Sequence, residues 1–170
     1  MKTLFNRMIG ASRLDPLTYE QVEADRSSTA GAVLVVIMSS VAAAIGSGSR
    51  DLASVISAVV LLLGAWVIWV GLTYFIGARL LPGPETQVDI GEVLRTTGFS
   101  ASPGVLRILG LIPAVGFPIF IVVTIWMLMT FVVAIRQALD YTSSLRALAV
   151  CLLGWLIHGL LFFGFVLVAI

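Results

Sequence analysis

Charged side chains are scarce in this chain. They make up 11% of its 170 residues, against about 25% in soluble domains. There is one histidine, His158, and one cysteine, Cys151. A lone cysteine excludes an intramolecular disulfide, and its place inside an apolar run leaves the redox compartment open. Cys151 and His158 are seven residues apart, or about 10 Å along a helix axis. At that spacing they cannot complete a tetrahedral zinc site, nor touch as nucleophile and base. His158 is read as a neutral side chain hydrogen-bonded to a neighbouring helix. The chain also lacks H-E-x-x-H, a nucleophile elbow and a nucleotide loop. These absences argue against an enzyme, a metal centre and a cofactor. The basic residues form no patch interleaved with aromatics, so nucleic-acid binding is unsupported as well.

Apolar residues fill the space the charges leave: they are 59% of the chain, and the mean hydropathy is strongly positive. Uncharged windows run over Ser27–Ser49, Leu52–Ala78, Ile108–Ile135 and Ala147–Ile170. Each meets the roughly 20 residues needed to cross a bilayer core of about 30 Å. A lipid-embedded backbone must be helical, because lipid offers no partner for a free N–H or C=O. The third window is too long for one span and holds Pro113 and Pro118 around "IPAVGFP", which reads as a tight turn. The preceding "LRTTGFSASPGVLRILGLI" then forms a proline-broken helix. The expected fold is all-α and polytopic, with five transmembrane helices near 28–48, 53–78, 94–112, 118–138 and 145–169, in a single domain over 28–170.

Residues 1–27 are expected to be a cytoplasmic segment. Lys2 and Arg7 flank an apolar stretch shorter than the roughly seven-residue core of a signal peptide. Leu4, Phe5, Met8 and Ile9 share one helical face, ringed by Lys2, Arg7 and Arg13, the pattern of an amphipathic helix in the membrane interface. With the N-terminus inside, eight of the ten basic residues fall on the cytoplasmic side: Lys2, Arg7, Arg13, Arg26, Arg79, Arg95, Arg136 and Arg146. Arg50 falls outside, and Arg107 lies within a span. Cytoplasmic loops of membrane proteins carry such an excess, so the C-terminus is expected outside.

Five charges stand out as functional candidates: Arg107, Arg136, Asp140, Arg146 and Arg95. Arg107 follows Pro103-Gly104 inside a span, where a charge is costly and by default marks a site; its readings are snorkelling to the headgroups, a buried pair or lipid-phosphate contact, and a transport site. Arg136 and Asp140 are four apart in the order that does not favour a helix. Asp140 is therefore expected to face the next helix start, where Thr142, Ser143 or Ser144 is the N-cap, or to meet Arg95 or Arg146. Glu85, Asp89 and Glu92 read as loop acids near a helix start, and "LPGPE" reads as turn chemistry. Pairs of small residues four apart (Ser39/Ala43, Ser40/Ala44, Ala42/Gly46, Gly98/Ser102, Gly110/Ala114) allow close helix packing within the bundle.

The stretches "LDPLTYEQVEAD" (Leu14–Asp25), "RLLPGPET" (Arg79–Thr86), "LRTTGFSASPGVLRILGLIP" (Leu94–Pro113) and "RQALDYTSSLRAL" (Arg136–Leu148) resemble the prokaryotic branch of the Yip family of Ypt/Rab-interacting membrane proteins. The resemblance implies five helices in a bacterial inner membrane. Eukaryotic relatives bind prenylated Rab-type GTPases and carry an acidic stretch in a longer cytosolic N-terminal region. Here Leu14-Asp15-Pro16 is a faint counterpart, and Rab binding is not carried over. The expected function is a non-catalytic protein that organises membrane or docks a cytoplasmic protein; the alternative is a small oligomeric channel or carrier. Expected partners are membrane lipids, with a homo-oligomer and a cytoplasmic protein both open.

Overall fold

In the computed structural model the backbone is described for residues 2–169 except 85 and 87, and side chains are described except for residues 2, 158 and 160–169. The readings of Glu85 and of the His158 side chain lie outside the described residues. The described chain is helical: α1 (Lys2–Ser12), α2 (Pro16–Ala24), α3 (Ser28–Gly46), α4 (Leu52–Phe75, continued by a π-helical turn Ile76–Leu80), α5 (Ile90–Ser100, followed by a 3-10 helix Ser102–Leu111), α6 (Gly116–Ala138) and α7 (Ser144–Ala169). Ser28–Gly46, Leu52–Leu80 and Gly116–Ala138 are long and apolar enough to cross a membrane.

Capping chemistry sets several of these boundaries. Asp15 accepts from the Leu17 N–H with Pro16 in the first turn of α2, and Asp51 accepts from Ser54 N–H at the start of α4. At α5, Asp89 accepts from Gly91 N–H while Glu92 Oε2 accepts from Asp89 N–H at 2.8 Å. This reciprocal box satisfies two donors that a helix start leaves free, and it begins the helix four residues before the expected Leu94.

The proline break falls at Ser100–Ser102, and its freed groups are satisfied. Pro103 has no N–H to give to the Phe99 carbonyl, so Ser102 Oγ donates to it instead, at 2.6 Å. Gly104 N–H turns to Ala101 O, and the Ser100 carbonyl accepts from Thr130 Oγ1 on α6 at 2.8 Å. In lipid such repairs are required of any irregular backbone.

The broken helix lies against α3 at small residues. A Cβ on Gly98 would stand 2.7 Å from Ala32 Cβ, one on Gly104 2.0 Å from Ser39 Oγ, and one on Gly46 1.9 Å from the Arg107 carbonyl oxygen. The small residues noted in the sequence thus serve packing within the chain, through partners on α5 and the 3-10 helix.

α1 and α2 are docked on the bundle. Ala11, Tyr19 and Val22 are fully buried in one core with Ala32, Val35, Phe99 and Ala134. Trp126 Nε1 donates to Ser12 O at 2.7 Å, and the Tyr19 hydroxyl sits between Ala11 O at 3.1 Å and Thr130 O at 3.2 Å. The amphipathic pattern supplied a helix with an apolar face; protein covers part of that face, and Phe5 stays exposed.

A second core joins Ile76, Ile135, Leu139, Tyr141 and Val150, and a third joins Val70, Val93 and Ala138. All three gather toward the end of the bundle where α5 and α7 begin and α6 stops. Toward the other end Leu52, Val60, Leu61 and Phe117 are exposed.

Gly46→Ala is predicted to destabilise the protein by about 1–3 kcal/mol, because the new methyl meets backbone that cannot move aside. Gly64→Ala, which places a methyl in open space, should leave the melting temperature unchanged or slightly higher. Thermal unfolding of both variants in detergent checks this; equal losses would contradict the close approach.

Candidate functional site

Four of the five candidate charges collect at the end of the bundle where the cores lie. Arg95 is 4% exposed. Its Nε donates to Val22 O at 3.1 Å and Glu23 O at 2.9 Å, and Nη2 donates to Glu23 O. These carbonyls belong to the last turn of α2, which lacks intrahelical donors and carries the negative end of the helix dipole. A guanidinium from α5 therefore closes the end of α2. Among the described residues Arg95 forms no ion pair, so the expected contact with Asp140 is not made.

Asp140 has another role. Its φ is 51°, and Tyr141 N–H bonds back to Arg136 O at 2.9 Å while Asp140 N–H bonds to Gln137 O. This is a helix end with a left-handed residue after the last turn, a position that aspartate tolerates better than most. Its exposed carboxylate takes no hydrogen bond or ion pair among the described residues, so it faces neither the start of α7 nor an arginine.

Arg136 turns back on its own helix end. Nε and Nη2 donate to Gln137 Oε1 at 3.3 and 3.2 Å, and Nη1 to Ser144 Oγ at 3.3 Å. Gln137 Nε2 in turn donates to Glu20 Oε1 at 3.0 Å, linking α6 to α2. Arg146 lies over the Tyr141 ring, 5.6 Å from its centroid, a favourable cation–π distance. The Tyr141 hydroxyl reaches Leu81 O at 2.6 Å and Gly77 O at 3.2 Å, and Thr86 Oγ1 donates to Leu139 O at 2.7 Å. The loop after α4 and the loop after α6 are thereby bound to each other.

The N-terminal hairpin is fastened at the same end. Arg7 Nη2 pairs with Asp25 Oδ2 at 2.8 Å, and Arg7 Nη1 donates to Ser28 Oγ at 2.6 Å. Hydrogen bonds from Ser27, Arg7 and Ser28 hold the Asp25 carboxyl well below the usual carboxylate range. Glu23 is the opposite case. Burial first, then the negative charges of Asp140 and Glu92, push its carboxyl up to about 7; Arg95 opposes this and Glu20 adds to it.

Arg107 stands apart, on the 3-10 helix. Nη2 donates to Thr124 Oγ1 at 3.3 Å and the guanidinium lies 5.4 Å from the centre of the Phe120 ring. Its Nε is buried without an acceptor, and it joins no ion pair among the described residues. Thr124 is eight residues inside α6, about 12 Å from its start. The side chain therefore reaches across to α6 rather than snorkelling outward.

Tyr19, Thr86, Trp126, Thr130 and Tyr141 were not singled out from sequence, although they carry the bonds between segments. A polar aromatic beside a helix end was the available signal. No group of three or more His, Cys, Asp or Glu lies together among the described residues, and Cys151 is buried.

The family model described as the Yip1 domain matches residues 14–166. No curated protein and no solved structure matches the chain.

Glu23 yields a pH prediction. A carboxyl whose pKa is raised on folding binds more protons when folded, so stability falls as pH climbs from the unfolded value of 4.5 through about 7. Glu23→Gln should therefore raise the melting temperature at pH 8 and change it little at pH 4.5. The Arg95 contacts survive this change because they use the backbone carbonyl. Equal shifts at both pH values would contradict the reading.

Proposed function

Since the chain belongs to the Yip1 domain family and is an integral membrane protein with three helices able to cross a bilayer, we propose that it is a non-catalytic member that organises membrane and docks a cytoplasmic partner through one prebuilt face. It crosses the membrane five times. The broken α5/3-10 segment and α7 supply the two crossings beyond α3, α4 and α6. The N-terminus and the loops around 81–89 and 139–143 are cytoplasmic, the C-terminus is outside, and the membrane is the inner membrane of a prokaryote. The distribution of Lys and Arg supports this orientation.

The observation that carries the proposal is the use made of the charges and tyrosines at the cytoplasmic end. Arg7, Arg95, Gln137, Tyr141 and Thr86 bind the N-terminal hairpin and both loops into one surface. Exposed ion pairs contribute little stability, but bonds from buried side chains to backbone fix the relative positions of distant segments. A surface fixed in advance loses less entropy on binding a partner. Rab binding is not part of the proposal.

The second reading, a small oligomeric carrier, draws on Arg107, a membrane-embedded cation bordering open space. Flux through proteoliposomes distinguishes the two. Vesicles with the wild-type protein are predicted to leak sodium, potassium, chloride and phosphate no faster than protein-free vesicles. Protein-dependent flux that Arg107→Ala abolishes would contradict the non-conducting role.

A further inference from the structure

Arg107 lies on the wall between two cavities. One, of about 580 Å³, is bordered by the ends of α3 and α6, including Ser47, Gly116 and Phe117. The other, of about 360 Å³, lies deeper, among Ser39, Ser40, Ser100, Thr124 and Trp66. Arg107, Ala43 and Leu62 line both. Among the described residues neither lining contains an acidic side chain, and Arg107 is the only charged one in either. The deeper wall offers several hydroxyls, and the cation above it has one hydrogen bond, to Thr124.

A guanidinium held among apolar helices without an anion is costly, and such groups pair or border a functional path. Arg95 shows what a satisfied one looks like in this chain: it is buried against the carbonyls closing α2. Arg107 lacks an equivalent. Its planar fork of donors suits a phosphate oxyanion. The surroundings indicate where that phosphate comes from. The larger cavity is bordered by Leu61 and Phe117, which are 72% and 76% exposed on helices that face lipid. From Arg107 to the end of the 3-10 helix is four residues, about 8 Å, and a phosphate drawn inward by about that depth meets the guanidinium. A soluble anion would leave this apolar wall uncovered; the acyl chain of a lipid covers it.

We infer that the larger cavity binds one anionic phospholipid, its phosphate on Arg107 and an acyl chain leaving over Leu61 and Phe117. Phe120 supports the guanidinium from one side by its ring, and Thr124 fixes its direction. Ala43 lines both cavities. The lipid completes the charge balance of the broken crossing. Its absence would leave the bonded loop surface at the other end of the bundle unchanged, so failure here and failure of that surface are separable.

The test is native mass spectrometry of the full chain, released from mixed micelles doped with phosphatidylglycerol, phosphatidylcholine or neither. Wild type is predicted to keep one phosphatidylglycerol, and Arg107→Gln to lower its occupancy about ten-fold or more. Arg107→Lys should fall between, since it keeps the charge and loses the fork. Ala43→Phe, which fills the shared wall and retains Arg107, should also lose the lipid; it decides the matter if Arg107→Gln fails to fold. Phosphatidylcholine should be held more weakly, and millimolar inorganic phosphate should not displace the bound lipid. Equal occupancy in wild type, Arg107→Gln and Ala43→Phe would overturn the site. Displacement by inorganic phosphate, or equal retention of phosphatidylcholine, would overturn its assignment to an anionic phospholipid.

Discussion

The approach of α3 to the broken helix is the contact on which the rest of the bundle depends. Helices in lipid gain little from hydrophobicity when they associate, since acyl chains are as apolar as leucine, and they associate through close packing and hydrogen bonds. Gly46, Gly98 and Gly104 provide that packing by removing the atoms that would keep the two backbones apart. The same closeness lets a break in the α-helix exist there. Around Pro103 the backbone groups released from the α-helix are taken up by Ser102, Ala101 and Thr130, so the break is shielded by protein where lipid could not serve it.

The two ends of the bundle then differ in kind. At one end, three cores and a set of side chain to backbone bonds tie α1, α2 and two loops together. At the other, open space borders Arg107. The two arginines of the broken segment reflect this difference. Arg95 meets the unpaired carbonyls of a helix end, a neutral partner with the right dipole. Arg107 meets one hydroxyl and one ring. One is a structural clamp and the other is a cation with capacity to spare.

Much of the helical layout was legible in the sequence because lipid imposes simple rules. Apolar length marks α3, α4 and α6. Pro103 marks the break, and Asp89 and Glu92 stand where a helix start needs acceptors. Partner choice was not legible. The apolar face of α1 predicted a helix on a hydrophobic surface, and nothing in its period says whether that surface is lipid or the protein core that holds Tyr19, Val35 and Phe99. The order Arg136 then Asp140 indicated that the pair is not a helix-stabilising one, but the left-handed backbone at Asp140 is a property of the turn, not of residue spacing. Arg95 was expected to seek a carboxylate; its acceptors are main-chain carbonyls, which sequence cannot distinguish. Tyr19 and Tyr141 were missed for the same reason, since each reaches backbone oxygens on segments far away in the chain.

That the broken helix crosses the bilayer beside α3 is tested most directly by the sidedness of its far end. In a Cys151→Ser background, single cysteines at Ser49, Ala114 and Thr142 would be treated with a membrane-impermeant thiol reagent on intact cells, before and after permeabilisation. Labelling of Ser49→Cys and Ala114→Cys on intact cells, with Thr142→Cys labelled after permeabilisation alone, is the predicted result. Protection of Ala114→Cys until the membrane is opened, with Thr142→Cys labelled on intact cells, would contradict the crossing.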